Sequence, residues 1–158
     1  MSPTVIFSIL SIIGRYNSWK YTSTVGSNVH ILWIENQQQF VNIALEKFLA
    51  AHTVTVFPSL ADAKVALASD TFDAVLLDYD LDDGKGTGLF PYLDALPVRP
   101  VILASSSHAD GNALLMLSGA DAVCSKMDFS QIDAVITAEF NRKTTKRSNC
   151  IRHSDEAS

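Results

Sequence analysis

The stretch AVLLDYDLDDGKG, Ala74–Gly86, sets four apolar residues directly before four carboxylates, Asp78, Asp80, Asp82 and Asp83, within six positions. An apolar run without alternation describes a strand covered on both faces, as in a parallel sheet. Such a strand requires similar neighbours and helices on either side, and both are met on moving outward. VHILWI, from Val29, is a short β-rich run, and QQQFVNIALEKFLAA then places Phe40, Ala44, Leu45, Phe48 and Leu49 on one helical face. TVTVF alternates as a strand, and Ser59 with Asp62 caps SLADAKVALAS as a helix. Beyond the acids, TGLFPYLDAL is a short helix that Pro91 starts late or distorts. PVILAS is the fourth strand, ADGNALLMLSG a helix stopped by Gly119, ADAVCS the fifth strand, and FSQIDAVITAEF a closing amphipathic helix.

Strict alternation of five strands with five helices predicts an α/β fold, a doubly wound parallel sheet with helices on both faces. The 158 residues, 47% hydrophobic, suit one domain with an ordinary core. We place that domain at 29–140, with an amino-terminal extension over 1–28, disordered or a non-native start, and a flexible basic tail over 141–158. In doubly wound sheets ligands bind beyond the carboxyl ends of the strands. The residues there are Glu35 and Asn36, then Asp78, Ser105 and Lys126.

Charge narrows the function. Between Val29 and Phe140 there are 15 acidic residues against 5 basic ones, a net of −10. Affinity for a phosphate backbone comes from lysine and arginine displacing counterions, so direct nucleic-acid binding by the domain is not expected. VIFSILSII, Val5–Ile13, has about half of the ~20 apolar residues a membrane span needs. No positive charge precedes it, as a secretory signal would require. The two cysteines, Cys124 and Cys150, share no metal-ligand spacing with each other or with the four histidines. A reducing, cytoplasmic location without membrane contact is therefore expected.

Three readings of the acid cluster compete. A calcium loop starting at Asp78 lacks the glycine at its sixth position, which is Asp83, and the glutamate at its twelfth, which is Leu89. A phosphatase of the haloacid dehalogenase type would use Asp78 as nucleophile and Asp80 as general acid, with Ser105 and Lys126 in support. That family's acidic strand normally comes first in the fold, whereas here another acid-tipped strand precedes it.

The third reading accounts for every strand end. From Val29 to Phe140 the chain resembles the receiver domain of bacterial two-component response regulators. ILWIEN resembles that family's first strand and acidic pair, DAVLLDYDLDDGKG its acceptor strand and loop with Gly86 in place, PVILAS its fourth strand, and GADAVCSK its fifth. The resemblance implies a flavodoxin-like strand order 2-1-3-4-5 and a domain that signals by protein contact, not by turnover. It implies Asp78 as phosphoacceptor, with Ser105 and Lys126 beside the phosphoryl group. It implies Mg²⁺ held by Asp78, the backbone carbonyl of Asp80, Glu35 and Asn36. The implied partners are a histidine kinase or phosphotransfer protein upstream and a protein target or another receiver downstream, with a homodimer also open. No output domain is recognisable in the tail, so a stand-alone receiver is expected.

Four residues depart from the family pattern. Asn36 replaces the second acid, Asp82 a proline, Met127 the proline after the lysine, and Val123 an aromatic residue that moves when the site is phosphorylated. A cis peptide without proline costs about 2.5 to 4 kcal/mol, so the Lys126–Met127 bond is expected to be trans. The degenerate alternative is a pseudo-receiver that binds a partner without phosphorylation.

Overall fold

Two hydrophobic cores, one on each face of a single sheet, are what unbroken apolar strands require and what this chain builds. The computed structural model describes residues 19–21 and 28–155. In chain order the elements are β1 (Trp19–Tyr21), β2 (His30–Ile34), α1 (Gln38–Lys47), β3 (Thr53–Phe57), α2 (Leu60–Ser69), β4 (Ala74–Leu77), β5 (Asp80–Leu81) and β6 (Gly84–Lys85). A 3₁₀ turn (Gly86–Leu89), α3 (Phe90–Asp94), β7 (Val101–Ala104), α4 (Ala109–Leu117), β8 (Ala122–Val123), a second 3₁₀ segment (Lys126–Gln131) and α5 (Ile132–Asp155) complete it. The sheet order is β1-β3-β2-β4-β7-β8. Its five parallel members, β3-β2-β4-β7-β8, reproduce the expected 2-1-3-4-5 arrangement.

Strand β4 shows why the apolar run does not alternate. Ala74 and Leu76 enter the core that holds Val41 and Leu45 of α1 and Ile132 and Ile136 of α5. Val75 and Leu77 enter the opposite core, with Leu60 and Leu67 of α2, Phe90 and Leu93 of α3, and Leu115 of α4. All four are fully buried. The register pairs Ile34 with Leu77 and Leu77 with Ala104. The next residues, Glu35, Asp78 and Ser105, therefore come abreast, and the two-residue period turns all three to the face of Trp33, Leu76 and Leu103.

Some boundaries differ from the sequence reading. The fifth parallel strand is only two residues long. The third helix begins at Phe90 after a 3₁₀ turn, with Pro91 in its first turn, where a missing N–H costs nothing. The acid cluster contains an unforeseen hairpin, β5–β6. Trp19–Tyr21, inside the expected extension, pairs antiparallel with β3 and covers the outer edge of the sheet. Readings for 1–18 and 22–27, VIFSILSII included, lie outside the described residues, as does 156–158.

Beyond Phe140, α5 continues through Asp155. Residues 141–155 contain neither glycine nor proline, and polarity alone does not end a helix. Its base is tied to the domain by Lys143 Nζ, which donates to the Pro100 carbonyl at 2.7 Å and pairs with Asp121 at 2.9 Å. Among the described residues no helix is long and apolar enough to cross a membrane.

The hairpin is fastened to α2. Ser59 Oγ accepts the Asp62 N–H as the helix cap, and Asp83 accepts the Leu60 and Ala61 N–H groups, each at 2.9 Å. Desolvation pushes the Asp83 carboxyl up, but these backbone donors and its own, with Lys64, more than offset it and hold the group below its ordinary value. Because the folded-state pKa is depressed, its stabilisation is present above the unfolded value and lost as pH falls through the folded one. Asp83→Ala should therefore cost about 1 kcal/mol at pH 7. Denaturation curves of the two proteins should converge in acid; a difference that persists there would refute this role for the carboxylate.

Candidate functional site

Two of the three residues that the register brings abreast, Glu35 and Asp78, meet one cation. Lys126, at the start of the 3₁₀ segment after β8, places Nζ 2.7 Å from Glu35 Oε2 and 2.7 Å from Asp78 Oδ2. The lysine and both carboxylates are nearly buried, with side-chain exposures of 6%, 0% and 5%. The remaining carboxylate oxygens accept backbone N–H groups, Glu35 Oε1 from Gln37 and Asp78 Oδ1 from Tyr79. Burial pushes the Glu35 carboxyl above its ordinary value, against the lowering influence of Lys126 and of the Gln37 N–H. An aromatic ring flanks the lysine. Its Nζ lies 5.5 Å from the centre of the Phe40 ring, and Phe129, three residues on, stacks on Trp33 at 5.3 Å.

Ser105 is fully buried beside Asp78, and its hydroxyl has no hydrogen-bond partner among the described residues. A buried polar group left unpaired is costly, so it marks a place where a ligand group would be satisfied. The next loop is stiffened by Asn112, which accepts the Ser106 N–H and donates to the Ser106 carbonyl. His108, which follows the serine run Ser105–Ser107, is exposed. Gly86 follows from close approach: a Cβ there would collide with the Asp78 carbonyl oxygen, so only glycine lets the chain return beside the end of β4.

The other acids divide. Asp80 is exposed on the hairpin, its carboxylate paired with Lys85 and away from Lys126. Asp82 and Asp83 are exposed yet bonded: Asp83 to α2, and Asp82 Oδ1 to Asn36 Nδ2 at 2.8 Å. No sequence signal announced either bond, because the partners are 46 and 23 residues away. Among the described residues no three acidic, histidine or cysteine side chains converge as a ready-made metal cluster. The donors at this rim are oxygens: two buried carboxylates and one amide. The Lys126–Met127 peptide is trans, as are all described peptides, and Lys126 still reaches both acids. Val123 is 41% exposed and Met127 83%. Burial raises the Cys124 thiol to about 11, with Asp128 adding to the effect, so it is inert as a nucleophile near neutral pH.

No protein-family model and no curated protein matches the sequence. Solved structures do match in fold. A CheY-like response regulator receiver domain from Methanospirillum hungatei has a TM-score of 0.67 at 16% identity, covering 76% of this chain and 99% of that one. The receiver domain of a Francisella response regulator has 0.64 at 15%, covering 73% and 99%. The receiver domain of a sensor histidine kinase from Pseudomonas aeruginosa, with a magnesium ion coordinated in its active-site cleft, has 0.61 at 18%, covering 73% and 99%. The chain has the fold of response regulator receiver domains.

Two outcomes test the electrostatics. Lys126→Met, which leaves two buried carboxylates without their cation, should lower stability at pH 7 by about 3 kcal/mol in urea denaturation; a loss near zero would mean that water already screens the pair. For Glu35 the folded pKa lies above its ordinary 4.5, so the native state binds the extra proton between the two values. Stability should then fall as pH rises through that window, and Glu35→Gln should flatten the fall. An unchanged slope would remove Glu35 as its source.

Proposed function

We propose that this chain is a receiver domain that takes a phosphoryl group on Asp78 from a histidine kinase or phosphotransfer protein. It then signals in the cytoplasm through contact with a protein target. The reading rests on one observation: the buried Asp78 carboxylate pairs with Lys126, and Ser105, which the strand register brings abreast of Asp78, keeps a fully buried, unpartnered hydroxyl. The receiver fold supports it.

A carboxylate attacking a phosphoryl group must approach an anion, and positioning with charge stabilisation supplies most of the catalysis. Asp78, Glu35, the Asn36 amide oxygen and the Asp80 carbonyl are hard oxygen donors that suit Mg²⁺, which supplies charge neutralisation when bound. The Tyr79 N–H fixes the rotation of the Asp78 carboxylate. Its attack forms the new P–O bond as the P–N bond to the donor imidazole breaks, and the imidazole retains the bonding pair. The product adds about two negative charges, for which Lys126 and the Ser105 hydroxyl are the available partners.

Moving the Lys126 ammonium toward the phosphoryl oxygens loosens its contact with Glu35. The strain then falls on the 3₁₀ segment whose Phe129 packs on Trp33, and that segment leads into α5. This route serves in place of an aromatic side chain at position 123. Leu117, Val123 and Met127 are exposed on α4, β8 and the following 3₁₀ segment, where a target or a second copy is expected to bind.

A phosphorylation-independent interaction module is the second reading, favoured by Lys126 pairing with both acids and by the amide at position 36. The hydrolase alternative draws no support from Asp80, which pairs with Lys85. Intact mass after incubation with acetyl phosphate and Mg²⁺ separates these. We expect one added phosphoryl group in the parent and none in Asp78→Asn. No addition in either, with no change in Trp33 fluorescence, would leave the interaction module. Steady turnover of simple phosphate esters would point to a hydrolase.

A further inference from the structure

We infer that Asp82 is a positioning residue for the cation site: by holding the nitrogen end of the Asn36 amide, it keeps the oxygen end available to a divalent ion. The inference rests on the receiver reading, in which this rim takes Mg²⁺, and concerns how the rim does so with an amide in place of an acid.

The two ends of an amide differ chemically. Only the oxygen can coordinate a cation, while the NH₂ group repels one and competes as a donor for the neighbouring carboxylates. An unrestrained Asn36 would present either end, and beside Glu35 and Asp78 the donor end would be drawn inward. Asp82 removes that choice. An ionised carboxylate only accepts, so the contact of 2.8 Å between Asn36 and Asp82 Oδ1 can be satisfied only by Nδ2. The assignment of the amide thus follows from the chemistry of its partner.

Asp82 is itself held in place. It lies in the turn between β5 and β6, and the adjacent Asp83 is bonded at 2.9 Å to each of two backbone N–H groups at the start of α2. The receiver pattern that this sequence resembles has an acid at position 36 and a proline at position 82, and a proline side chain neither accepts nor donates. The two departures are therefore one device, in which an amide replaces the acid and an acceptor fixes the amide. Asp82 also returns to the rim the formal negative charge that Asn36 removes. The unpartnered Ser105 hydroxyl, buried on the same rim, is independent evidence that a ligand belongs there.

The test is a Mg²⁺ titration by calorimetry on four forms of the full chain: the parent, Asp82→Asn, Asn36→Asp and the double variant. Asp82 is exposed and its replacement is isosteric, so folding is not at stake. An amide at position 82 can also donate, and so can capture the Asn36 oxygen. We expect Asp82→Asn to weaken Mg²⁺ binding about tenfold in the parent, the scale of losing an outer group that orients a ligand. It should cause no weakening in the Asn36→Asp background, where there is no amide to orient. Equal weakening in both backgrounds would show that Asp82 acts only as a charge and would overturn the inference, as would no weakening in the parent. If the parent binds no Mg²⁺ while Asn36→Asp does, the inference fails and the cation-site reading survives. If neither binds, the cation-site reading fails and takes the inference with it.

Discussion

The ammonium group of Lys126 joins two carboxylates that arrive on different strands, and the functional rim depends on that contact. Glu35 ends β2 and Asp78 ends β4; both are buried, and each lies 2.7 Å from the same nitrogen. Two buried anions side by side are costly without a counter-ion, and a buried lysine is costly without an acceptor. The three therefore stabilise one another only as a set. Any event that engages the lysine elsewhere, above all new negative charge on Asp78, changes the balance for all three.

The surrounding fold serves to bring that set together. The parallel register delivers Glu35, Asp78 and Ser105 abreast, and their shared face is the one that α1 and α5 cover. Phe40, Trp33 and Phe129 pack on one another, and the Phe40 ring lies against the lysine ammonium beside the two acids. On the other side of Asp78 the chain turns back through Gly86, where no side chain fits. The turn then fastens itself to α2 through Asp83.

The departures from the receiver pattern look less like decay once they are placed in space. Met127 is exposed and its peptide is trans, yet the lysine before it makes both ion pairs. Asn36 and Asp82, far apart in the chain, are hydrogen-bonded to each other. Val123 is partly exposed, which leaves the 3₁₀ segment carrying Phe129 as the element that links the site to α5.

Order and type of the main elements were legible because burial on two faces writes itself into a chain as unbroken apolar runs. Helices written at a period near 3.6 between them complete the pattern, as Ala74–Leu77 and the helix capped by Ser59 show. The candidates Glu35, Asn36, Asp78, Ser105 and Lys126 were legible for a related reason, since each follows directly on a strand of a sheet whose ligands gather at one rim. Contacts between polar residues distant in the chain were not legible. Asp83 reads as one more solvated acid until the hairpin meets α2, and Asp82 until Asn36 meets it. The edge strand Trp19–Tyr21 is illegible because three residues are too few to establish a period, and the helical run beyond Phe140 because it is too polar to show one. Hydrophobic burial is recorded locally, residue by residue, whereas a hydrogen bond or ion pair exists only once folding has brought both partners to the same place.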